Sequence, residues 1–209
     1  MTTLLYPSLQ NTILHFVSAF NEIPVERKII LRQLTDFIQT KIASGSPVQL
    51  NFICTHNSRR SHISQLWAQA AAAYYGIENV FCYSGGTEAT AFNPRAVKAM
   101  GDVGFQILKK DDSGNPRYEV HFSDSNPPVI AFSKVYHDAF NPQKDFAAVM
   151  TCSHADENCP LVLGASARIA LTYDDPKEFD GTPLEATKYA ERAQEIGREI
   201  FFAFSQVKA

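Results

Sequence analysis

Residues 52–61 have the sequence Phe-Ile-Cys-Thr-His-Asn-Ser-Arg-Arg-Ser. A hydrophobic run precedes this stretch and a helical pattern follows it, so it predicts a strand, a tight loop and a helix in succession. Within it, Cys54 is followed six residues later by Arg60 and then by Ser61. The positive end of a helix and an adjacent guanidinium both favour a cysteine thiolate. The stretch therefore indicates a nucleophilic thiolate at the start of a helix.

The loop between Cys54 and Arg60 has the features of a site for a tetrahedral oxyanion. A tight loop at a helix N-terminus presents converging backbone N–H groups, which bind such an anion. We predict Cys54 as the nucleophile and Arg60 as a bidentate ligand, with Ser61 holding the thiolate and Asn57 bracing the loop. The predicted oxyanion-binding residues are Thr55, His56, Asn57, Ser58, Arg59, Arg60 and Ser61. The alternative is a buried cysteine beside an unrelated arginine, and the strand–loop–helix context argues against it.

A second candidate segment is Tyr-Asp-Asp-Pro at residues 173–176. A leaving oxygen needs a proton, and a carboxylic acid on a loop that faces the anion is able to supply it. We predict Asp175 as this acid, with Pro176 stiffening the backbone after it. The alternative is a solvated turn, which a run of this kind forms more often.

Two further cysteines, Cys152 and Cys159, flank a polar segment that directly follows an apolar run. A zinc site that used His154 would need more ligands at a closer spacing, and the sequence has no second cluster, so we predict no metal. Two unrelated thiols are another alternative. Two thiols on one flexible polar loop are able to form a disulfide if the backbone rearranges. An internal relay then becomes available, in which one thiol resolves an adduct on Cys54 and the next resolves that disulfide.

The remaining cysteine and four of the histidines have no recognisable partner pattern. Cys82 lies within an apolar run and is interpreted as a packed strand thiol. The histidines interpreted as surface or satisfied side chains are His62, His121, His137 and His154.

Short apolar runs alternate with helical patterns over most of the chain. Strands are predicted at residues 48–53, 80–83, 146–151 and 167–171, and helices at residues 61–75, 93–103 and 184–205. This alternation predicts an α/β fold with a four-stranded parallel sheet flanked by helices.

Two parts of the chain lie outside this alternation. Residues 1–46 are predicted to form an N-terminal helical extension that packs on the core or, alternatively, mediates dimerisation. Residues 47–209 are predicted to form the catalytic domain. Within that domain, a β-hairpin insertion is expected over residues 110–145, with strands at residues 117–122 and 129–133.

The composition is that of an ordinary globular protein: 209 residues, of which 45% are hydrophobic and 20% charged. A net charge of -3 gives no electrostatic reason to expect a nucleic-acid partner. No apolar run approaches the ~20 residues that span a bilayer, and the start of the chain lacks the features of a signal peptide. We therefore expect a cytoplasmic protein without a membrane or nucleic-acid partner. The sequence does not predict the oligomeric state.

These segments together resemble the thioredoxin-coupled arsenate reductases, which share the fold of low-molecular-weight protein tyrosine phosphatases. The resemblance covers roughly residues 48–205 and is strongest in residues 52–61. The other matching segments are residues 83–88, 93–100, 152–160 and 174–176. The C-x5-R loop and the Asp-Pro pair are shared by the whole superfamily. The pair Cys152 and Cys159 is more specific, and it is typical of the reductase branch.

The resemblance implies a reaction carried by thiols. Cys54 attacks arsenate, and Asp175 protonates the departing oxygen. Cys152 then attacks Cys54, which releases arsenite, and Cys159 attacks Cys152. Thioredoxin reduces the resulting Cys152–Cys159 disulfide, so thioredoxin is the implied electron donor and no metal or flavin is implied.

The sequence departs from the family pattern at three positions. His56 stands where the family usually has glycine, which carries a backbone cost if that position needs a positive φ. Arg59 adds a second positive charge beside the anion. Gln65 stands where some members have a glutamate that helps to bind potassium. This weakens the case for a potassium site and leaves Ser84 and Asn57 as its remaining candidate ligands.

Two other functions stay open from the sequence. In the first, a low-molecular-weight phosphatase hydrolyses phosphomonoesters through a phosphocysteine at Cys54, and Cys152 and Cys159 are bystanders. In the second, the chain is a non-enzymatic module that binds oxyanions, because a fold alone does not fix a function.

Overall fold

The structure is a computed structural model that describes residues 4–159 and 161–208. In chain order, its strands are β1 (Val48–Cys54), β2 (Val80–Gly86), β3 (Gln106–Lys109), β4 (Tyr118–His121), β5 (Val129–Ala131), β6 (Phe146–Met150) and β7 (Ala165–Ala170). Its α-helices are α1 (Pro7–Ser18), α2 (Val25–Ala43), α3 (Arg60–Tyr74), α4 (Pro94–Asp102), α5 (Ser153–Asn158) and α6 (Glu185–Ser205). Short 3-10 helices lie at Phe20–Glu22 and Pro176–Phe179.

A four-stranded sheet forms the centre of the molecule. Its strand order is β2-β1-β6-β7, and every neighbouring pair is parallel. All five residues of β6 and six of the seven residues of β1 are buried, because helices cover both faces of a parallel sheet. The predicted parallel sheet is confirmed. The edge strand β7 begins two residues before the predicted position, since its small and polar residues give little apolar signal.

Helices α3 and α6 pack against each other around Trp67. The indole ring is fully buried and lies edge-on to Phe16, Phe105 and Phe201, with centroid distances of 5.0–5.8 Å. Its Nε1 donates a hydrogen bond to the Ala193 carbonyl at 2.8 Å. A buried indole satisfied in this way fixes α6 over α3, and α3 begins at the end of the candidate loop.

The N-terminal helices α1 and α2 both contact α6. Phe16 of α1 lies against Trp67, and Thr35 of α2 donates a hydrogen bond to the Ala203 carbonyl at 2.8 Å. The first helix begins with Pro7 at its first position, where a missing N–H costs nothing. A domain boundary at residues 46/47 stays a prediction. Within the described ranges, no helix has both the length and the apolar character needed to cross a membrane.

Strands β3, β4 and β5 form a separate antiparallel sheet in that order. The predicted hairpin corresponds to β4 and β5, and its presence is confirmed. The sequence did not predict β3, because three of its four residues are exposed and it lies at the edge of the sheet next to β4. The chain that leaves β5 returns to the candidate loop, where the Lys134 backbone N–H reaches Asn57. The insertion therefore helps to shape the site.

Candidate active site

The cradle loop (residues 54–60) joins the end of β1 to the start of α3, as predicted. Cys54 is buried, and its Sγ lies 3.1 Å from Ser61 Oγ. Ser61 Oγ in turn accepts a hydrogen bond from Asn57 Nδ2 at 2.8 Å. Because this bond uses an acceptor site of the hydroxyl, the hydroxyl hydrogen is free to point at the Cys54 sulfur. The arrangement suits a thiolate at Cys54.

Asn57 sets the shape of the cradle loop. It is fully buried, with a φ of 44°, and its Oδ1 accepts a hydrogen bond from the Lys134 backbone N–H at 2.9 Å. Asparagine tolerates this left-handed region better than most residues. The positive φ falls at Asn57, whereas His56 is not among the residues with positive φ. Histidine in place of glycine at position 56 therefore carries no left-handed strain.

Gly86, at the end of β2, packs closely against the backbone of the cradle loop. A Cβ atom at this position would lie 2.2 Å from the Glu88 carbonyl oxygen, 2.7 Å from Asn57 N and 2.7 Å from the Thr55 carbonyl oxygen. The backbone N–H groups of Thr87 and Glu88 donate to the carbonyls of Cys54 and Thr55, at 3.1 and 2.8 Å. The close approach of two backbones requires glycine here.

Arg60 joins the cradle loop to the acid loop (residues 173–176). Its Nη1 donates to the Tyr173 carbonyl at 2.9 Å, and its Nη2 donates to Asp175 Oδ2 at 2.7 Å. Its Nε is buried and has no hydrogen-bond partner in the part of the chain that the structure describes. A buried donor of this kind needs a partner, and an oxyanion bound within reach of Nε would satisfy it. The structure thus brings together Arg60 and Asp175.

The Arg59 side chain is directed toward α6. Its Nε donates to Tyr189 Oη at 2.7 Å, and its Nη2 lies 3.4 Å from Asp180 Oδ2. Tyr189 Oη also donates to Asp180 Oδ1 at 2.8 Å. Arg59 Nε also stands 3.9 Å from Asp175 Oδ1. The carboxylates of Asp180 and Asp175 therefore balance the charge expected beside the anion, and the hydrogen bonds of Arg59 attach the loop to α6 and to the segment before it.

Cys152 approaches the cradle loop from the end of β6. It is buried, and its Sγ lies 3.4 Å from Thr55 Oγ1 and accepts from the Ala155 backbone N–H at 3.3 Å. The segment to Cys159 differs from the expected flexible loop, since residues 153–158 form α5 with a cysteine at each end. A helical rise of about 1.5 Å per residue separates the two Cα atoms by roughly 10 Å, too far for a disulfide. Pairing of these thiols therefore requires that α5 unwinds.

Comparison with known proteins identifies the family. An arsenate reductase of Halalkalibacterium halodurans is 31% identical over 150 residues, which cover 71% of this chain and 89% of that protein. The chain belongs to the arsenate reductase family. An arsenate reductase of Bacillus subtilis is also 31% identical, over 152 residues and with the same shares of both chains. No family model matches this arsenate reductase family member.

The comparison with solved structures concerns the fold. A low-molecular-weight phosphotyrosine phosphatase of Vibrio cholerae aligns with a TM-score of 0.50 and 12% sequence identity, covering 76% of this chain and 94% of that chain. The predicted low-molecular-weight phosphatase fold is therefore confirmed for this arsenate reductase family member.

One neighbour of the second thiol was missed from the sequence. His154 Nδ1 lies 3.3 Å from Thr55 Oγ1, the hydroxyl that also contacts Cys152 Sγ. The sequence treats His154 as a surface side chain, and its ring is indeed exposed. Its contact with Thr55 spans 99 positions of the chain, and no local sequence pattern indicates it.

Cys82 is packed in a strand as predicted, and burial raises its pKa far above the usual range.

Of the residues considered for potassium, Gln65 has a buried oxygen, Oε1, without a hydrogen-bond partner among the described residues. Ser84 Oγ lies 3.2 Å from His62 Nδ1, and Gln65 Nε2 donates to the Cys82 carbonyl at 2.9 Å.

Burial and the nearby Lys134 charge lower the pKa of His62, whose Nε2 has no hydrogen-bond partner among the described residues. His62 is thus a buried neutral ring, not the surface or fully satisfied histidine expected from the sequence. In residues 4–159 and 161–208, no cluster of three or more His, Cys, Asp or Glu side chains suits a metal ion.

Proposed function

We propose that this protein reduces arsenate to arsenite, with Cys54 as the nucleophile and Cys152 and Cys159 as the resolving thiols. One observation carries the proposal. The Cys152 thiol contacts Thr55, the residue next to Cys54, on the same loop that Arg60 and its bound carboxylate close. A phosphatase needs no second thiol at this place. The family of the chain supports the same reaction.

The first step forms a bond between sulfur and arsenic. The Cys54 thiolate attacks arsenate held by the backbone N–H groups of the cradle loop and by Arg60 Nε. An As–O bond breaks, and Asp175 gives a proton to the departing oxygen, which leaves as water. The hydrogen bond from the Arg60 guanidinium to Asp175 supports this role, because it holds the acid next to the cradle loop.

The second step moves two electrons. The Cys152 thiolate attacks Cys54 Sγ, so that a disulfide forms and the S–As bond breaks. The electron pair of that bond stays on arsenic, which is reduced from As(V) to As(III) and leaves as arsenite. Two thiols are oxidised in exchange, so atoms and electrons balance.

The third step restores the nucleophile. Cys159 attacks Cys152 and frees Cys54, and α5 unwinds because its two ends are too far apart for a disulfide. A dithiol protein of the thioredoxin type then reduces the Cys152–Cys159 disulfide. The exposed neighbours Leu161 and Leu163, at 73% and 77%, leave this end of the helix accessible.

A coupled assay tests this function. Arsenate, thioredoxin, thioredoxin reductase and NADPH are expected to sustain many turnovers with the natural chain and with the Cys82→Ser control. Cys152→Ser is expected to stop after arsenate attachment, and Cys159→Ser to accumulate the Cys54–Cys152 disulfide, visible by mass spectrometry. Absence of arsenate-dependent NADPH oxidation by the natural chain would refute the proposal.

Phosphomonoester hydrolysis is the second candidate, since Cys54, Arg60 and Asp175 are also sufficient for a phosphocysteine mechanism. In that case Cys152→Ser and Cys159→Ser would hydrolyse an aryl phosphate as fast as the natural chain. The relative efficiencies toward arsenate and aryl phosphate decide between the two functions.

A further inference from the structure

Arg27, in the first turn of α2, is connected to the acid loop through a buried ion pair. Its Nε donates to both carboxylate oxygens of Glu199 on α6, each at 2.9 Å, and its Nη2 lies 2.8 Å from Oε2. The guanidinium carbon stands 4.7 Å from the centroid of the Tyr173 ring. Burial acts to lower the pKa of Arg27, but the hydrogen bonds to Glu199 together with the charge interactions with Tyr173 and Glu199 outweigh it, and the pKa is raised. The stacked group therefore stays charged.

Tyr173 is held at three points, two residues before Asp175. Its backbone N–H donates to the Thr151 carbonyl at 3.2 Å, and its carbonyl accepts from Arg60 Nη1 at 2.9 Å. Its ring, only 5% exposed, is the third point, and Arg27 covers it. Through this ring contact, helix α2 reaches the acid loop. The cradle loop itself has no contact with Arg27 among the hydrogen bonds and ion pairs of the described residues.

The geometry points to Arg27 as a positioning residue that fixes Asp175 through the ring of Tyr173. This inference rests on the proposed role of Asp175 as proton donor. A buried ion pair adds little net stability compared with well-packed apolar side chains, so stability alone does not explain it. What the Arg27–Glu199 pair does provide is one fixed place for the guanidinium, and hence for the ring beneath it. The N-terminal extension thereby becomes part of the catalytic apparatus.

The test separates positioning from stability. Arg27→Met leaves Glu199 buried without a partner and is expected to lower the Tm. The double variant Arg27→Met/Glu199→Met replaces the pair by apolar side chains and is expected to recover most of the Tm. If Arg27 positions Asp175, the double variant keeps a kcat about 10- to 100-fold below that of the natural chain with little change in KM, since misplacement of a reacting group by about 1 Å costs this much.

Lys28→Met is the matched control. Lys28 is the next residue of α2, and its Nζ stands 5.4 Å from the Phe202 ring of α6, away from the acid loop. Its kcat is expected to match that of the natural chain. A double variant with full kcat, or with a loss confined to KM, would overturn the positioning role.

Amide hydrogen exchange gives a readout that does not depend on the reaction. Residues 172–175 are expected to exchange faster in the double variant than in the natural chain or in Lys28→Met. Unchanged exchange would overturn the inference even if the natural chain proved inactive on arsenate. Faster exchange in the double variant, with a natural chain that is inactive on arsenate, would refute the proposed function and leave the positioning of the acid loop by Arg27 in place.

Discussion

Arg60 Nη2 donates a hydrogen bond to Asp175 Oδ2 at 2.7 Å, so the last residue of the cradle loop directly holds the candidate acid. The same guanidinium has a buried Nε that lacks a hydrogen-bond partner in residues 4–159 and 161–208. One side of the group thus faces the acid loop and the other is available to an anion. A planar guanidinium suits this double task because its donors are fixed relative to one another.

Asp175→Asn is expected to lower kcat by about 10²- to 10⁴-fold, because the asparagine amide can accept a hydrogen bond from Arg60 but is not acidic enough to protonate a leaving oxygen. Asp174→Asn is the matched control. The Asp174 side chain is 95% exposed, and Arg192, at 3.5 Å, is its ion-pair partner among the described residues. Steady-state rates of both variants check the assignment. Equal losses in the two variants would contradict it.

Gly86→Ala is expected to abolish anion binding and to lower the Tm. The added methyl group would overlap backbone atoms of Thr55, Asn57 and Glu88, which cannot move without deforming the cradle loop. Gly101→Ala on α4 is the control, since its Cβ meets open space and alanine favours a helix by about 0.5–1 kcal/mol. Calorimetric titration with phosphate and thermal unfolding measure both effects. Tight phosphate binding by Gly86→Ala would show that the loop tolerates the methyl group.

Arg59→Met is expected to lower the free energy of unfolding and to leave the affinity for phosphate close to that of the natural chain. Its guanidinium binds Tyr189 and Asp180, and its loss removes one hydrogen-bond partner from each of these groups, at a cost of about 1–3 kcal/mol. Arg60→Met is expected to weaken phosphate binding strongly and to have the smaller effect on the free energy of unfolding. Urea unfolding and phosphate titration of both variants distinguish the two arginines. A similar loss of affinity in both would place Arg59 at the anion.

The sequence alone predicts those parts of the site whose residues lie close together in the chain. A strand, a glycine-free tight loop and a helix follow one another in residues 48–74, so the positions of Cys54, Arg60 and Ser61 could be predicted from spacing alone. The parallel sheet could also be predicted from the sequence, because its strands are apolar runs separated by helical patterns.

The contacts that complete the site join residues far apart in the chain. The interactions of Arg59 with Tyr189 and of Thr55 with His154 span 130 and 99 positions, and neither residue pair carries a periodic or motif signal. The helix between Cys152 and Cys159 was missed because five of its six residues are polar and resemble a loop in sequence. Its N-terminus is stabilised by a bond from the Ala155 N–H to the Cys152 sulfur, which composition does not reveal.

Lys134 is expected to make stability depend on pH between about 8 and 10.5. Burial lowers its pKa from 10.5 to about 8, with Arg117 adding to the effect and Asp138 opposing it. Between these values the unfolded chain keeps a proton that the folded chain has lost, so stability rises with pH, in total by about 3 kcal/mol. Lys134→Met removes this titration and keeps the backbone N–H that holds Asn57. Urea unfolding at pH 7 and pH 10 should therefore show the variant gaining less stability than the natural chain, and a pH-independent difference between them would refute the shift.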